Sequence, residues 1–241
     1  MKRKALIHKI ANLISCYPSG RPLRVAVDGV DASGKTVFSN EIAAALAVTG
    51  RQVIRASVDG FHLPRAIRRR KGSLSPQGFY RDSYDYSALI ENLLKPLSPK
   101  GDRRYRTMVF NLQRDQPVQA PWQTADKNAI LIVDGIFLFR EILLMSWDLK
   151  IYLYADFSTS VMRGIARDQQ LFGSKEAAAR RYSQRYVPGQ KIYLEEAHPL
   201  DKADILIDNN ILDEPKIIKY PVKNQSSDRH HFKDRPKWRN P

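Results

Sequence analysis

The 241-residue chain contains one cysteine, Cys16, which excludes an intramolecular disulfide and any all-cysteine zinc site. No apolar run approaches the roughly 18 residues that a membrane-spanning helix needs, so no membrane partner is expected. The opening Met1-Lys2-Arg3-Lys4 is basic, but His8, Lys9 and Asn12 interrupt the adjoining stretch, and no small-residue cleavage site is visible. A secretory signal is therefore not expected, and the expected location is cytoplasmic. Acidic residues are in short supply, with 25 Asp and Glu against 40 Lys and Arg for a net charge of +15. Such an excess points to a polyanionic partner or to phosphorylated ligands. The basic C-terminal stretch lacks regular aromatic interleaving, having only Phe232 and Trp238. Stacking on single-stranded nucleic acid is thus poorly supported, and nucleic acid is not the expected partner.

What is present suits a buried core, with 43% apolar and 27% charged residues. Ala5–Tyr17 carries one helical stripe of Leu6, Ile10, Leu13, Ile14 and Tyr17. Five segments have strand character: Leu23–Asp28, Gln52–Asp59, Ala129–Asp134, Leu149–Ala155 and Ala203–Asp208. They are mostly continuous apolar runs, as in a parallel sheet covered on both faces. Helical patterns lie between them at Lys35–Val48, Tyr86–Leu94, Val161–Leu171 and Glu176–Tyr186. This alternation predicts an α/β fold, a three-layer, doubly wound, mostly parallel sheet. Pro64–Asp85 reads as an irregular loop and Asp102–Pro117 as a hairpin or extended cover. One domain is expected over 1–213, followed by a basic, flexible tail over 214–241 whose removal from Lys216 onward leaves activity and melting little changed.

The strongest motif is Gly29-Val30-Asp31-Ala32-Ser33-Gly34-Lys35-Thr36, which fits G-x-x-x-x-G-K-[ST] between a strand and a helix. Its backbone N–H groups converge on an anion at a helix N-terminus. Lys35 is expected to reach the β- and γ-phosphates of ATP, and the Thr36 hydroxyl to bind Mg2+. Ile130–Asp134 is four aliphatics ending in a carboxylate, the pattern of an acid that holds Mg2+ directly or through water. Asp59 ends the second strand, and in such sheets the ligand crevice lies beyond the carboxyl ends of the strands. It is the expected base for a hydroxyl acceptor. His62 is either a substrate contact or a hydrogen-bonded loop residue. Arg163 and Arg167 share a helix face, and Arg180, Arg181 and Arg185 follow after Gly173-Ser174. Residues 163–191 are expected to form a helical arginine lid over the phosphates, with Arg163 and Arg167 on the nucleotide and Arg167 catalytic. The alternative is a surface helix whose arginines pair with Asp168 and Glu176.

With these residues assembled, Arg21–Asn209 resembles the uridine kinase/phosphoribulokinase family of P-loop small-molecule kinases. The resemblance rests on Asp59-Gly60-Phe61-His62, Arg81-Asp82-Ser83-Tyr84-Asp85, Asp134-Gly135-Ile136, Arg163–Asp168, and Tyr186-Val187-Pro188 followed by Ala203–Ile207. It implies a P-loop NTPase topology of the nucleoside and nucleotide kinase type. It also implies transfer of the ATP γ-phosphoryl group to a nucleoside hydroxyl, with Asp59 as base. Carried over by position, the acceptor contacts are Asp59, Phe61, His62, Tyr84, Phe110 and Arg114. In the hairpin Met108–Arg114 the family's Tyr and Asp positions are apolar. The run Arg68-Arg69-Arg70-Lys71 suits a phosphorylated sugar, as in phosphoribulokinase, or is plain surface charge. The expected partner is thus a small-molecule hydroxyl acceptor, with a homo-oligomer left open. The competing class is a nucleic-acid-binding P-loop NTPase.

Overall fold

The computed structural model describes residues 1–18 and 20–221. Six strands form the central sheet: β1 (Leu23–Gly29), β2 (Val53–Ser57), β3 (Ile130–Asp134), β4 (Leu149–Tyr154), β5 (Ile205–Asp208) and β6 (Lys216–Lys219). Their spatial order is β6-β5-β4-β1-β3-β2. The first five strands pair in parallel, and β6 adds antiparallel to β5. All five strands expected from the sequence are present. β1 lies between β3 and β4 and is buried along its whole length, which suits its mostly apolar run.

The period-two alternation of the strands divides the apolar side chains between two cores. Val25, Val27, Ile132 and Ile151 pack against α1 (Arg3–Ser15) and α2 (Lys35–Ala47), where Leu6, Ile10, Ile14, Phe38, Ile42 and Leu46 are fully buried. Ala26, Leu131, Val133 and Tyr152 face the other way, onto Phe79 and Tyr80 of α3 (Pro76–Asp82), Phe137, and Tyr193 of a later helix. The result is helix, sheet, helix. Each such buried side chain contributes roughly 1.5–3 kcal/mol from leaving water.

Three expectations need correction. Pro64–Asp85 is not irregular, because it contains a turn of helix at Arg65–Arg68 and then α3. Ser75 caps α3 by accepting from the Gly78 N–H at 3.0 Å, with Pro76 in the first turn, a start signal that the loop-like composition obscured. The lid helices also run further than expected. Here α4 spans Phe157–Phe172 and α5 spans Lys175–Arg181, followed without a break by a π-helical turn, Tyr182–Tyr186, and α6, Val187–Ala197. The wider turn accommodates Pro188, which lacks an N–H and would crowd the carbonyl four residues back.

The third correction concerns the tail expected from residue 214. Its first part is β6, placed between Pro215 and Pro221 and edged by Lys216 and Lys219, as exposed edge strands are. Ile217 packs on one core and Ile218 on the other, and Lys9 lies over the Tyr220 ring at 4.6 Å. The remainder of the expected tail lies outside the described residues. A chain ending at Pro215 is therefore expected to melt below one ending at Pro221. A loss of 1–2 kcal/mol would lower Tm by about 2–8 °C in a domain of this size. Equal melting curves for the two truncations would show that β6 carries no stability.

Candidate active site

The P-loop sits where β1 hands over to α2, and its shape depends on backbone angles open to few residues. Gly29 and Gly34 have φ of +154° and +94°, and Ala32 lies at +53°. A Cβ on Gly29 would fall 2.3 Å from the Leu153 carbonyl oxygen, so only glycine lets β1 pass β4 this closely. Three neighbours hold the loop. Asn209 at the end of β5 donates to the Ser33 carbonyl at 2.7 Å, Ser160 of α4 donates to the Asp31 carbonyl at 2.5 Å, and the Asp31 N–H donates to Gln190 of α6 at 2.5 Å. Lys35 arches back, its Nζ donating to the Val30 carbonyl at 2.7 Å. Burial pushes its ammonium down, while Asp31, Asp28 and Asp134 act in the other direction.

Beneath the loop, Asp28 is fully buried and accepts from the Gly29 N–H at 2.7 Å, the Phe139 N–H at 3.2 Å and the Tyr193 hydroxyl. Burial still pushes its carboxyl up to about 6 from 3.8, against these bonds and the charge of Lys35. The folded chain therefore holds a proton that the unfolded chain has lost between those two values. The stabilisation from Asp28 is fully present below the lower value and is lost as pH rises through the upper one. Asp28→Asn is expected to flatten this part of the stability curve by on the order of 3 kcal/mol. Melting from pH 4 to 8 checks it, and parallel curves for the two proteins would contradict it.

At the end of β3, Asp134 receives the Thr36 hydroxyl at 2.7 Å on one carboxylate oxygen and the Arg55 guanidinium at 2.6 Å on the other. Among the described residues no group of three or more His, Cys, Asp or Glu could hold a metal ion by itself. Mg2+ is usually held by one or two protein oxygens, water and phosphate oxygens. The Thr36 hydroxyl and Asp134 are the hard oxygen donors suited to it.

Asp59 stands at the end of β2 in a 3₁₀ turn, Val58–Phe61. Tyr84 donates its hydroxyl to one Asp59 oxygen at 3.1 Å, and His62 Nε2 lies 3.3 Å from the same oxygen. His62 stacks on Tyr84 with ring centroids 4.5 Å apart, and its Nδ1 faces the Ser83 carbonyl at 2.8 Å. The carboxylate remains 64% exposed to the cavity. Partial desolvation would raise its pKa, but the bonds from His62 and Tyr84 and the charge of Lys35 outweigh it, so Asp59 stays below its ordinary range.

α4 and the π turn, within the segment expected to form a lid, contact the loop. Arg167 is held by Asp168 at 2.7 Å and reaches Asp31 of the P-loop at 3.2 Å. The hydroxyl of Tyr182 lies 2.9 Å from Asp168 and 3.1 Å from Asp31. A Cβ on Gly164 would fall 2.1 Å from the Tyr182 ring, so that glycine lets α4 seat against the π turn. The hydrogen bond with Asp168 chiefly holds the Arg167 guanidinium above its usual range. Arg163 donates to the carbonyls of Asn209 at 3.1 Å and Asn210 at 2.6 Å, bracing α4 to the end of β5.

One cavity of about 930 Å³ joins these parts, lined by Asp31, Lys35, Thr36, Asp59, His62, Tyr84, Asp134, Arg163 and Arg167 among others. Three expected acceptor contacts do not line it. Phe61 is fully buried in the core beneath Asp59. Phe110 is also buried, in a two-stranded ribbon of Phe110–Asn111 with Gln116–Pro117, and it is Leu112 that reaches the cavity. Arg114 is exposed in that ribbon's turn, its N–H donating to Asn111 at 2.9 Å. Of the hairpin or extended cover expected over Asp102–Pro117, Phe110–Pro117 is a hairpin with Phe110 turned inward, whereas Arg104–Tyr105 pairs with Gln123–Thr124 beyond it. Sequence reasoning also missed Arg55 on Asp134, Asn209 on the P-loop and Gln190 on Asp31. Arg55 alone carried a signal, as a charge in the middle of a mostly apolar strand.

No protein-family model matches the chain. A curated uridine kinase from Leuconostoc citreum is 24% identical over 149 residues, covering 61% of this chain and 69% of that protein. A structure from Bacillus stearothermophilus described as "a possible uridine kinase" aligns with a TM-score of 0.65 at 19% identity, covering 83% of this chain and 96% of that one. The D-glycerate 3-kinase of Cryptococcus neoformans aligns with a TM-score of 0.60 at 13% identity, covering 89% and 99%. The parallel sheet, the P-loop and these alignments together establish that the chain has the α/β fold of P-loop kinases and resembles the uridine kinases among them.

Proposed function

We propose that this protein is an ATP-dependent kinase that moves the γ-phosphoryl group to the hydroxyl of a small molecule. The observation that carries the reading is that Asp59 opens into the same cavity as Lys35, Thr36 and Asp134. A bare NTPase needs no carboxylate there to receive an alcohol's proton.

The P-loop amides and Lys35 would hold the β- and γ-phosphates, and Lys35 would leave the Val30 carbonyl to do so. Thr36 and Asp134 would hold Mg2+, which would supply neutralising charge to the phosphate oxygens when bound. Tyr84 and His62 aim the Asp59 carboxylate. The acceptor oxygen bonds to the γ-phosphorus as the bond to the β–γ bridging oxygen breaks and ADP leaves. The hydroxyl proton passes to Asp59. Arg167, above the loop, offsets charge on the transferring group.

The uridine kinase relative makes uridine the first acceptor to try, with neutral and anionic alcohols beside it. A panel of alcohols with Mg·ATP, read by ADP release and product mass, tests the reading. Hydrolysis stimulated strongly by RNA or DNA but by no alcohol would favour a nucleic-acid-dependent NTPase instead.

A further inference from the structure

Helix α1 opens with its charge at the unfavourable end. Lys2, Arg3 and Lys4 crowd the N-terminus, with no acidic residue in the first turn and no capping side chain. Cations there oppose the helix dipole, so a fixed arginine at that position needs a tertiary reason. Lys2 and Lys4 are exposed, whereas the Arg3 side chain is only 15% exposed. Its guanidinium grips Glu41 of α2, with Nη2 at 2.7 Å and Nε at 2.8 Å. Its Nη1 donates to the Leu212 carbonyl at 3.0 Å and to the Asn209 side-chain oxygen at 3.2 Å.

Asn209 is fully buried, and both ends of its side-chain amide are engaged. A guanidinium can only donate, so the bond from Arg3 commits the amide oxygen to α1 and turns the NH2 group towards the P-loop. A charge-assisted bond on that oxygen also polarises the amide and strengthens the bond it donates. The acceptor of that bond is the Ser33 carbonyl, at 2.7 Å. The approach is close: a Cβ on Gly34 would fall 2.9 Å from the Asn209 nitrogen. The Ser33 C=O and the Gly34 N–H belong to one planar trans peptide and point in opposite directions. Holding the carbonyl on Asn209 therefore turns the Gly34 N–H away from it. Gly34 lines the cavity, and among the described residues its N–H donates to no protein acceptor.

Resting on the kinase reading, we propose that Arg3 is a positioning residue for the phosphate site. It orients Asn209, which aims the Gly34 N–H at the phosphates of the bound nucleotide. Helix α1 is thereby part of the nucleotide site, although none of its residues lines the cavity.

The test uses the full chain and reads binding of Mg·AMP-PNP by calorimetry, so that no acceptor is required. Arg3→Ala is expected to weaken binding about 10-fold, the scale of one charge-assisted hydrogen bond. Glu41→Gln removes the ion pair but leaves Arg3 on Asn209. It is expected to bind within about twofold of wild type, even where it melts lower. A merely structural brace requires equal losses of affinity in the two variants, and that result overturns the proposal.

Arg3 is also a cation near a site for polyanions, and two measurements separate its charge from its positioning. The affinity ratio of wild type to Arg3→Ala is expected to hold from about 0.05 M to about 0.5 M salt, because salt screens a through-space attraction far more than a hydrogen-bonded geometry. Combined with Asn209→Ser, Arg3→Ala is expected to cost nothing further, since Arg3 acts through Asn209. A ratio that collapses to one at high salt, or full additivity in the double variant, overturns the proposal. Should Asn209→Ser fail to fold, the salt series and Glu41→Gln decide alone. Wild-type protein that binds no Mg·AMP-PNP overturns the kinase reading and this proposal with it. Binding unchanged in Arg3→Ala overturns this proposal alone.

Discussion

Lys35→Ala is expected to lower kcat for phosphoryl transfer by about 10²–10³-fold or more, the scale seen when one preorganised donor is removed from a developing charge. Lys35 is buried at the P-loop, and Asp28, Asp31 and Asp134 sustain its charge there. Among the described residues its Nζ bonds only to the Val30 carbonyl, so its strongest interaction is reserved for phosphate oxygens. That interaction grows as charge moves to the leaving oxygen, so kcat should fall more than KM rises. The fold should persist, because removing the side chain frees one carbonyl that loop water can serve. Rapid-quench transfer with a folded, melting-checked variant decides it. Unchanged turnover would remove the P-loop from the chemistry.

The second large effect belongs to Asp59. Asn is nearly isosteric and can keep the Tyr84 bond, but it cannot take up a proton effectively. Asp59→Asn is expected to retain nucleotide binding while transfer falls by about 10²–10⁴-fold, the usual contribution of a positioned general base. Because Asp59 is held below the ordinary carboxylate range, it stays ionised throughout the neutral and mildly acidic region. The wild-type acceptor profile should therefore show no acid limb in the usual carboxylate range from this group. Nucleotide affinity by calorimetry belongs beside the transfer rate. Lost nucleotide binding with near-normal transfer at saturating ATP would make Asp59 a nucleotide or metal ligand and not a base.

The parts of the site that were legible in the sequence are those written in short contiguous spans. The P-loop octet, Ile130–Asp134 and Asp59-Gly60-Phe61-His62 each lie within one strand-to-loop junction, where spacing and chain direction already fix the geometry. The parallel order followed for the same reason, since five apolar runs alternate with helices. What escaped depends on contacts between distant segments. Phe110 and Arg114 were placed by position in a hairpin, but which face of a two-residue ribbon turns inward is decided by packing. Strand β6 escaped because a four-residue strand between prolines carries little periodicity, and pairing with β5 and packing of Ile217 and Ile218 on the two cores hold it. Arg65, Arg68 and Arg69 line one cavity with Arg181 and Arg185 only in the folded chain, and only the structure separates these from Arg70 and Lys71, which are spent on Asp82.

The central claim is direct transfer of a phosphoryl group from ATP to an alcohol. A single turnover run in ¹⁸O-labelled water, with an acceptor taken from the panel and products resolved by mass, tests it most directly. The account predicts a phosphate ester containing no solvent oxygen, formed in step with ADP and lost in Asp59→Asn. Recovery of the whole γ-phosphoryl group as inorganic phosphate bearing one solvent oxygen, whatever alcohol is present, would contradict it.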